Sequence, residues 1–437
     1  VSDTQAGKTG ENTREKRINT VTESASGRAG NWSLYVHVPF CKKKCPYCDF
    51  FSVTDRSLIP AYVDGVCQEI RRWSEMKNTW LQAPLKSLYF GGGTPSVLSI
   101  SQIGRILETV CQTFAVAIDT EITLEVNPGT VDAAYLSGVR QLGINRLSIG
   151  AQSFDPAKLS FLSRIHTRAQ VFEALSGAAR AGFSNLGLDL MYALPGETMG
   201  VWQTDLDAAL ALQPPHLSCY MLTLEPGTPL FDQYQSGRFK PCGPERRSDF
   251  FVHTSRVLEN AGYAHYEVSN FAKDRRFRSV HNTHYWDRGP YIGAGPSAHS
   301  FLPQLSENPK PPTPDQTNIP AFLKTSGPVR FWNPSDIRVW LKHLSAGRLP
   351  LEDHEILNPD QEMMERIMLG LRTDQGIDIR GSGRELRAVM AGLAGQGLGV
   401  LGEHTDGDSG SRRFRLTRAG LTCLDSLVDA LIQKIPG

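Results

Sequence analysis

No stretch of this chain approaches the ~20 consecutive apolar residues that a helix needs to cross a bilayer, and its beginning lacks the apolar core of a secretory signal. Those absences make the cytoplasm the expected compartment, with no integral membrane segment and only peripheral membrane association left open. An excess of one charge is lacking too: Lys and Arg total 46 against 45 Asp and Glu. No global field draws the protein to nucleic acid, which is not an expected partner. Cysteine is scarce, 8 in 437 residues, far too sparse for a disulfide scaffold. What is present is a globular mix, 40% hydrophobic and 21% charged, enough to bury a large core. Residues 1–31 differ: they hold almost no large apolar side chain, and Asp3, Glu11, Glu15 and Glu23 argue against a transit peptide. A disordered leader is expected there.

After Trp32, short apolar or β-branched runs recur at 34–38, 88–90, 122–126, 147–149, 186–191 and 217–222. Segments with helical spacing separate them, at 58–73, 103–114, 133–141, 171–181 and 202–212. Strands alternating with helices imply parallel pairing and right-handed crossovers, hence an α/β barrel whose closure the pattern does not fix. The stretch 303–320, with Pro309, Pro311, Pro312 and Pro314, reads as a linker or insertion between a barrel domain over 32–302 and a C-terminal domain over 321–437. In that last domain 360–371 reads as an amphipathic helix, and 414–416 as a strand leading into a helix over 417–431. It is expected to be small and mostly helical, with a winged form compatible with the strand, and a packing module rather than a DNA reader given the balanced charge.

Three of the cysteines, Cys41, Cys45 and Cys48, crowd into eight positions directly after the first strand, where Pro39 and Pro46 exclude helix. Three thiolates bind three irons of a cubane and leave the fourth open, whereas structural zinc takes four ligands. Lys42, Lys43 and Lys44 favour the thiolates electrostatically. The competing readings are a Cys3His zinc site completed by His37, a redox-active thiol pair, and chance. Cys67, Cys111, Cys219, Cys242 and Cys423 are isolated and read as buried small hydrophobes.

Tyr35-Val-His37-Val-Pro39-Phe40-Cys41, with its C-x3-C-x2-C spacing, resembles the radical S-adenosylmethionine (SAM) superfamily. The resemblance is specifically to the branch that holds the haem chaperone HemW and the oxygen-independent coproporphyrinogen III oxidases. It implies a partial (β/α)6 TIM-like barrel and a 4Fe-4S cluster on the three cysteines. The open iron of that cluster chelates SAM, and an electron from the cluster cleaves it to a 5'-deoxyadenosyl radical. Gly91, Gly92, Gly93 and Thr94 follow the second strand, where glycine lets backbone approach a ligand without Cβ interference. By resemblance these residues receive the methionine amino group of SAM. By the same resemblance Glu125, Gln152, Arg164 and Asp189 help position SAM, and Tyr35 lies in the motif that carries it. The polar residues near strand ends fit the functional face of a parallel barrel.

The oxidase would carry a further cysteine at position 50, where this chain has Phe50. HemW-type proteins instead share an H-N-x-x-Y-W motif, present as His281-Asn282-Thr283-His284-Tyr285-Trp286. A histidine can supply an axial nitrogen to haem iron, Tyr285 and Trp286 offer flat apolar surface, and Arg275, Arg276 and Arg278 could meet propionates. The structural alternative is a loop histidine and two aromatics packed against the barrel. The resemblance therefore implies haem as cargo and haemoproteins as acceptors, with oxidative decarboxylation in porphyrin biosynthesis as the alternative.

Overall fold

A computed structural model describes residues 32–75, 79–303, 327–380, 382–403 and 412–434. The expected leader, and the Pro-rich stretch beyond its first residue, lie outside the described residues. Six strands carry the fold: β1 (Trp32–Val38), β2 (Leu85–Gly92), β3 (Glu121–Val126), β4 (Arg146–Gln152), β5 (Asn185–Tyr192) and β6 (His216–Met221). Each is parallel to the next. Between them run α1 (Ile59–Glu75), α2 (Ile100–Thr113), α3 (Ala133–Gln141), α4 (Pro156–Phe161), α5 (Arg168–Arg180) and α6 (Met199–Ala211).

Past β6 come α7 (Pro229–Gln235), α8 (Pro244–Asn260), β7 (Ala264–Glu267) and β8 (Asn270–Ala272), with β8 antiparallel to both β6 and β7. Helix α9 (Val280–Trp286) then leads to the opposite edge. There β9 (Tyr291–Ala294) lies parallel to β1, and β10 (His299–Leu302), β11 (Val329–Trp332) and β12 (Asp353–Ile356) follow antiparallel. Helix α10 (Ile337–Ser345) sits between the last two. The sheet runs β12-β11-β10-β9-β1-β2-β3-β4-β5-β6-β8-β7. Its edges do not pair with each other among the described residues, so the barrel is partial and open.

The strands are longer than their apolar runs because they alternate. In β1, Trp32, Leu34, Val36 and Val38 join the main core against the helices, while Ser33, Tyr35 and His37 face the other way. Helices α2, α5 and α6 likewise start three residues ahead of their apolar pattern, because a capping side chain precedes it. Ser99 with Gln102 opens α2 and Thr167 with Gln170 opens α5, each as a capping box.

The C-terminal part contains α11 (Pro359–Gly370), β13 (Ile377–Asp378), α12 (Arg384–Gly395), β14 (Gly399–Glu403), β15 (Arg412–Leu416), α13 (Arg418–Thr422) and α14 (Leu424–Ile432). Its own core gathers Ile367, Leu371, Leu386, Met390, Phe414 and Leu431, and its strands form a sheet β13-β15-β14 beside the helices. The helix expected over 417–431 is two helices, broken at Cys423. Cys67 and Cys219 are buried as expected, but Cys242 is half-buried and Cys111 and Cys423 are exposed, Cys111 on the outer face of α2 and Cys423 at the break between α13 and α14. No helix among the described residues is long and apolar enough to cross a membrane.

Candidate functional site

Every parallel strand sends polar side chains to the concave side of the sheet, in register. Ser33 pairs with Ser87, Tyr35 with Tyr89 and His37 with Gly91. Glu125 pairs with Ser148, Gly150 with Asp189 and Asp189 with Ser218. The barrel is thus lined with hydrogen-bonding groups where an ordinary barrel would be filled with aliphatics. Apolar runs do not reveal this lining, because they leave out the alternate residues that form it. The signal was the strict polar alternation in Trp32–Val38, Glu121–Val126 and His216–Met221.

At the C-terminal end of β1 the chain forms the cysteine loop. A bridge between Phe40 and Val53, with Cys41 N–H donating to Val53 O at 2.9 Å, closes its base, and Leu230 N–H to Pro46 O at 2.8 Å pins its far side. The Thr94 hydroxyl lies 3.5 Å from Cys41 Sγ, and Arg164 Nη1 lies 3.8 Å from Cys45 Sγ. Burial raises the Cys48 thiol above its ordinary range, offset in part by the Phe50 amide, and nearness to Cys45 and Cys41 raises it further. Among the described residues no three His, Cys, Asp or Glu converge as one metal ion would require. His37 is not a spare ligand either: its Nε2 meets Phe51 O at 2.9 Å and its Nδ1 meets the Tyr35 hydroxyl at 3.1 Å. A cluster spreads its thiolates over separate irons, so the three-cysteine donor set fits a cluster better than zinc.

The glycine stretch abuts this loop, but the missing Cβ atoms serve the protein's own packing. A Cβ on Gly91 would come within 2.8 Å of Tyr89, one on Gly92 within 2.6 Å of His37, and one on Gly93 within 2.9 Å of Phe40 O. Gly92 also has φ of +110°, where side chains are strained. Their backbone, bare of side chains, borders the barrel mouth where the sequence places a ligand.

Glu125 accepts from the Tyr89 hydroxyl at 2.8 Å, and burial pushes its carboxyl up to about 7, with Asp189 adding to the rise. Asp189 accepts from Ser148 at 3.2 Å and is likewise raised by burial. Gln152 closes β4 at a register shift with φ of +65°, and its Oε1 is buried without a partner. Arg164 lies between α4 and α5 and donates to Gly150 O at 2.6 Å, and its Nε is buried without a partner. Unsatisfied buried polar atoms are costly, so the pair fits a polar ligand at this mouth.

His281 is not in a loop. It sits in the first turn of α9, 2% exposed, its ring stacked on Tyr89 at 4.8 Å. Nδ1 bonds Ser87 Oγ and Nε2 bonds the Tyr285 hydroxyl, both at 2.8 Å, so neither nitrogen takes a metal without breaking a bond. Glu121 caps the helix, accepting from Val280 N–H and His281 N–H at 3.1 Å each. The motif therefore divides: His281 and Tyr285 lie within the barrel, whereas Trp286 lines a cleft of about 660 Å3 against the C-terminal part. The upstream arginines do not line it. Arg278 clasps Asp374 with bonds of 3.1 and 2.7 Å, and Arg276 stands exposed beside Asp274.

A cysteine loop at the end of the first parallel strand, facing polar groups at the ends of the next four, defines the site of a radical SAM protein. The sequence profile of the radical SAM superfamily matches residues 35–208. The chain is 36% identical over 353 residues to the haem chaperone HemW of Synechocystis, covering 79% of each chain. It is 33% identical over 425 residues to radical S-adenosyl methionine domain-containing protein 1, mitochondrial, of Bos taurus, covering 92% of this chain and 88% of that one. The structure of coproporphyrinogen III oxidase (HemN) from Escherichia coli aligns with a TM-score of 0.72 at 22% identity, over 98% of this chain and 94% of that one, a likeness of fold. The chain belongs to the HemW family of the radical SAM superfamily.

Proposed function

We propose that this chain is a haem chaperone: it binds haem and hands it to haemoproteins, on a radical SAM fold that holds a 4Fe-4S cluster and SAM. Cys41, Cys45 and Cys48 are the cluster ligands. Thr94 and Arg164 temper the charge on the sulfurs of Cys41 and Cys45. The backbone of Gly91, Gly92 and Gly93, with Glu125, Gln152, Arg164 and Asp189, receives SAM, and Tyr35 holds His37 and packs beside Tyr89 behind it. When bound, cluster and SAM supply one-electron cleavage of the sulfonium. The observation that carries this part is the convergence of Thr94 on Cys41, Arg164 on Cys45 and Gly150, and Tyr89 on Glu125 at one barrel mouth.

Haem is the cargo because named HemW relatives match most of the chain and because position 50 offers no thiol. Phe50 is 66% exposed at the edge of the cysteine loop. The His281 and Tyr285 side chains support α9 from inside, and Trp286 faces outward to the cargo. The proposed compartment is the cytoplasm. Anaerobic reconstitution, followed in parallel by iron and sulfide analysis, haem titration and a coproporphyrinogen decarboxylation assay, tests the reading. The expected outcome is a cluster and bound haem without decarboxylation. Robust decarboxylation, or a preparation holding only zinc, would refute it.

A further inference from the structure

Lys158, on α4, is the one buried lysine among the described residues, and nothing in the site above uses it. Its ammonium donates to Glu197 Oε1 at 2.5 Å, to Asp205 Oδ2 at 2.8 Å and to Met191 O, near the end of β5, at 3.0 Å, which engages all three protons. Both carboxylates are buried too, and each reaches on to a turn. Asp205, on α6, accepts from the Ser153 hydroxyl at 2.6 Å and from Phe154 N–H at 2.8 Å, and Glu197 accepts from Leu194 N–H at 3.0 Å. Those groups directly follow strained positions: Gln152 has φ of +65° and Ala193 has φ of +60°. A third, Ser163 at +55°, directly precedes Arg164, whose N–H bonds Leu159 O at 2.9 Å, the residue next to Lys158. Three of the six non-glycine residues at positive φ among the described residues thus lie in the segments that this cluster ties together. Such residues persist only where their surroundings hold them, and they gather at ligand sites.

Resting on the reading that Gln152 and Arg164 receive SAM, we infer that Lys158, clamped by Glu197 and Asp205, is the positioning residue for both. It holds the turn after Gln152 and the helix before Arg164 in the arrangement that turns the two side chains to the barrel mouth. It acts through them and is not itself a ligand. Stability alone does not call for three buried charges, because apolar side chains in place of such a cluster often serve as well. What the charges supply is direction, since the bonds of the clamp end on the backbone and hydroxyl groups of strained turns.

Equilibrium SAM binding to the reconstituted full-length protein, read beside iron content and urea midpoint, separates positioning from stability. Asp205→Ala should weaken SAM by about tenfold with the cluster retained. Leu344→Ala opens a cavity under α10, which packs against α1, and should lower the urea midpoint while SAM binds as in wild type. If Asp205 acts through Gln152, the two losses overlap: Asp205→Ala made in Gln152→Ala should weaken SAM by less than it does alone. Ser153→Ala removes the serine hydroxyl and leaves the charges paired, so it is expected to fold even where Asp205→Ala does not, and should weaken SAM by about threefold. SAM affinity unchanged in folded Asp205→Ala, or in Ser153→Ala where the first variant does not fold, overturns the inference. So does an undiminished loss in the Gln152→Ala background, or an equal loss of SAM affinity in Leu344→Ala. Absence of SAM binding in wild type overturns the SAM site itself and the inference with it.

Discussion

At the residue scale the crowding of Cys41, Cys45 and Cys48 was legible in the sequence, whereas setting His37 aside as a fourth ligand needed its bonds to Phe51 and Tyr35. Cys45→Ser should lose the reconstituted cluster, read as a collapse of iron and sulfide content in a protein that stays folded. A full cluster in that variant would remove the ligand assignment. Glu125 was legible as a strand-end carboxylate, but its raised pKa was not, since burial is a property of the assembled barrel. A carboxyl held up at about 7 is mostly protonated at pH 6 and mostly ionised at pH 8. If it receives the SAM ammonium, SAM should bind more tightly as pH rises across that window, and Glu125→Gln should bind weakly with no such slope. Equilibrium binding at several pH values decides it.

His281 was the residue least legible in advance. Its motif suggested an axial ligand, but sequence does not reveal that Ser87 and Tyr285 already take both nitrogens. His281→Ala leaves the Ser87 and Tyr285 hydroxyls each without this partner, so stability should fall by about 2 kcal/mol. Haem affinity should hold. Lost haem binding in a folded variant would return the ligand role to His281.

At the element scale, where strands and helices lie was largely readable and how far they run was not. The central strands were recognised by their apolar halves, and the polar halves that line the mouth lengthened them. Gln152 shows the limit: only the register shift between Gly150 and Gln152 turns it to a positive φ. Helix α9 was hidden for a different reason. It is only seven residues long and is held by Glu121, a partner 159 residues away in sequence. Glu121 also lies beside the buried Arg146 guanidinium. Glu121→Ala should therefore cost about 3 kcal/mol or more, because it removes the acceptor of two first-turn amides and the ion-pair partner of the buried Arg146, with Ser279 remaining as the N-cap. Chemical denaturation should show that loss, and hydrogen exchange should show it concentrated in α9. Unchanged exchange there would mean the helix is held by its packing and the Ser279 cap without Glu121.

At the scale of the whole molecule, buried ionisable groups pull stability in opposite directions with pH. Burial holds His166, His265 and His284 down to about 4. Their contribution is present above the unfolded value of ~6.5 and is lost as pH falls through the folded one. Burial holds Glu69, Glu125 and Glu267 up to about 7. That contribution is present below ~4.3 and is lost as pH rises toward 7. Glu69 bonds Gly295, Asn333 and Trp340, joining α1 to the β9 edge and to α10. Glu69→Gln removes one of the opposing contributions, so stability should climb more steeply from pH 5 to pH 7 than in wild type. Urea midpoints at both pH values give the comparison.

Haem transfer to an acceptor tests the central claim most directly. Loaded protein is mixed anaerobically with a purified apo-haemoprotein, and the appearance of the acceptor's haem spectrum is timed against release to an excess of an inert scavenger. A chaperone should transfer faster than it passively releases, at a rate that rises with acceptor concentration. Transfer no faster than passive release, at every acceptor concentration, would contradict it.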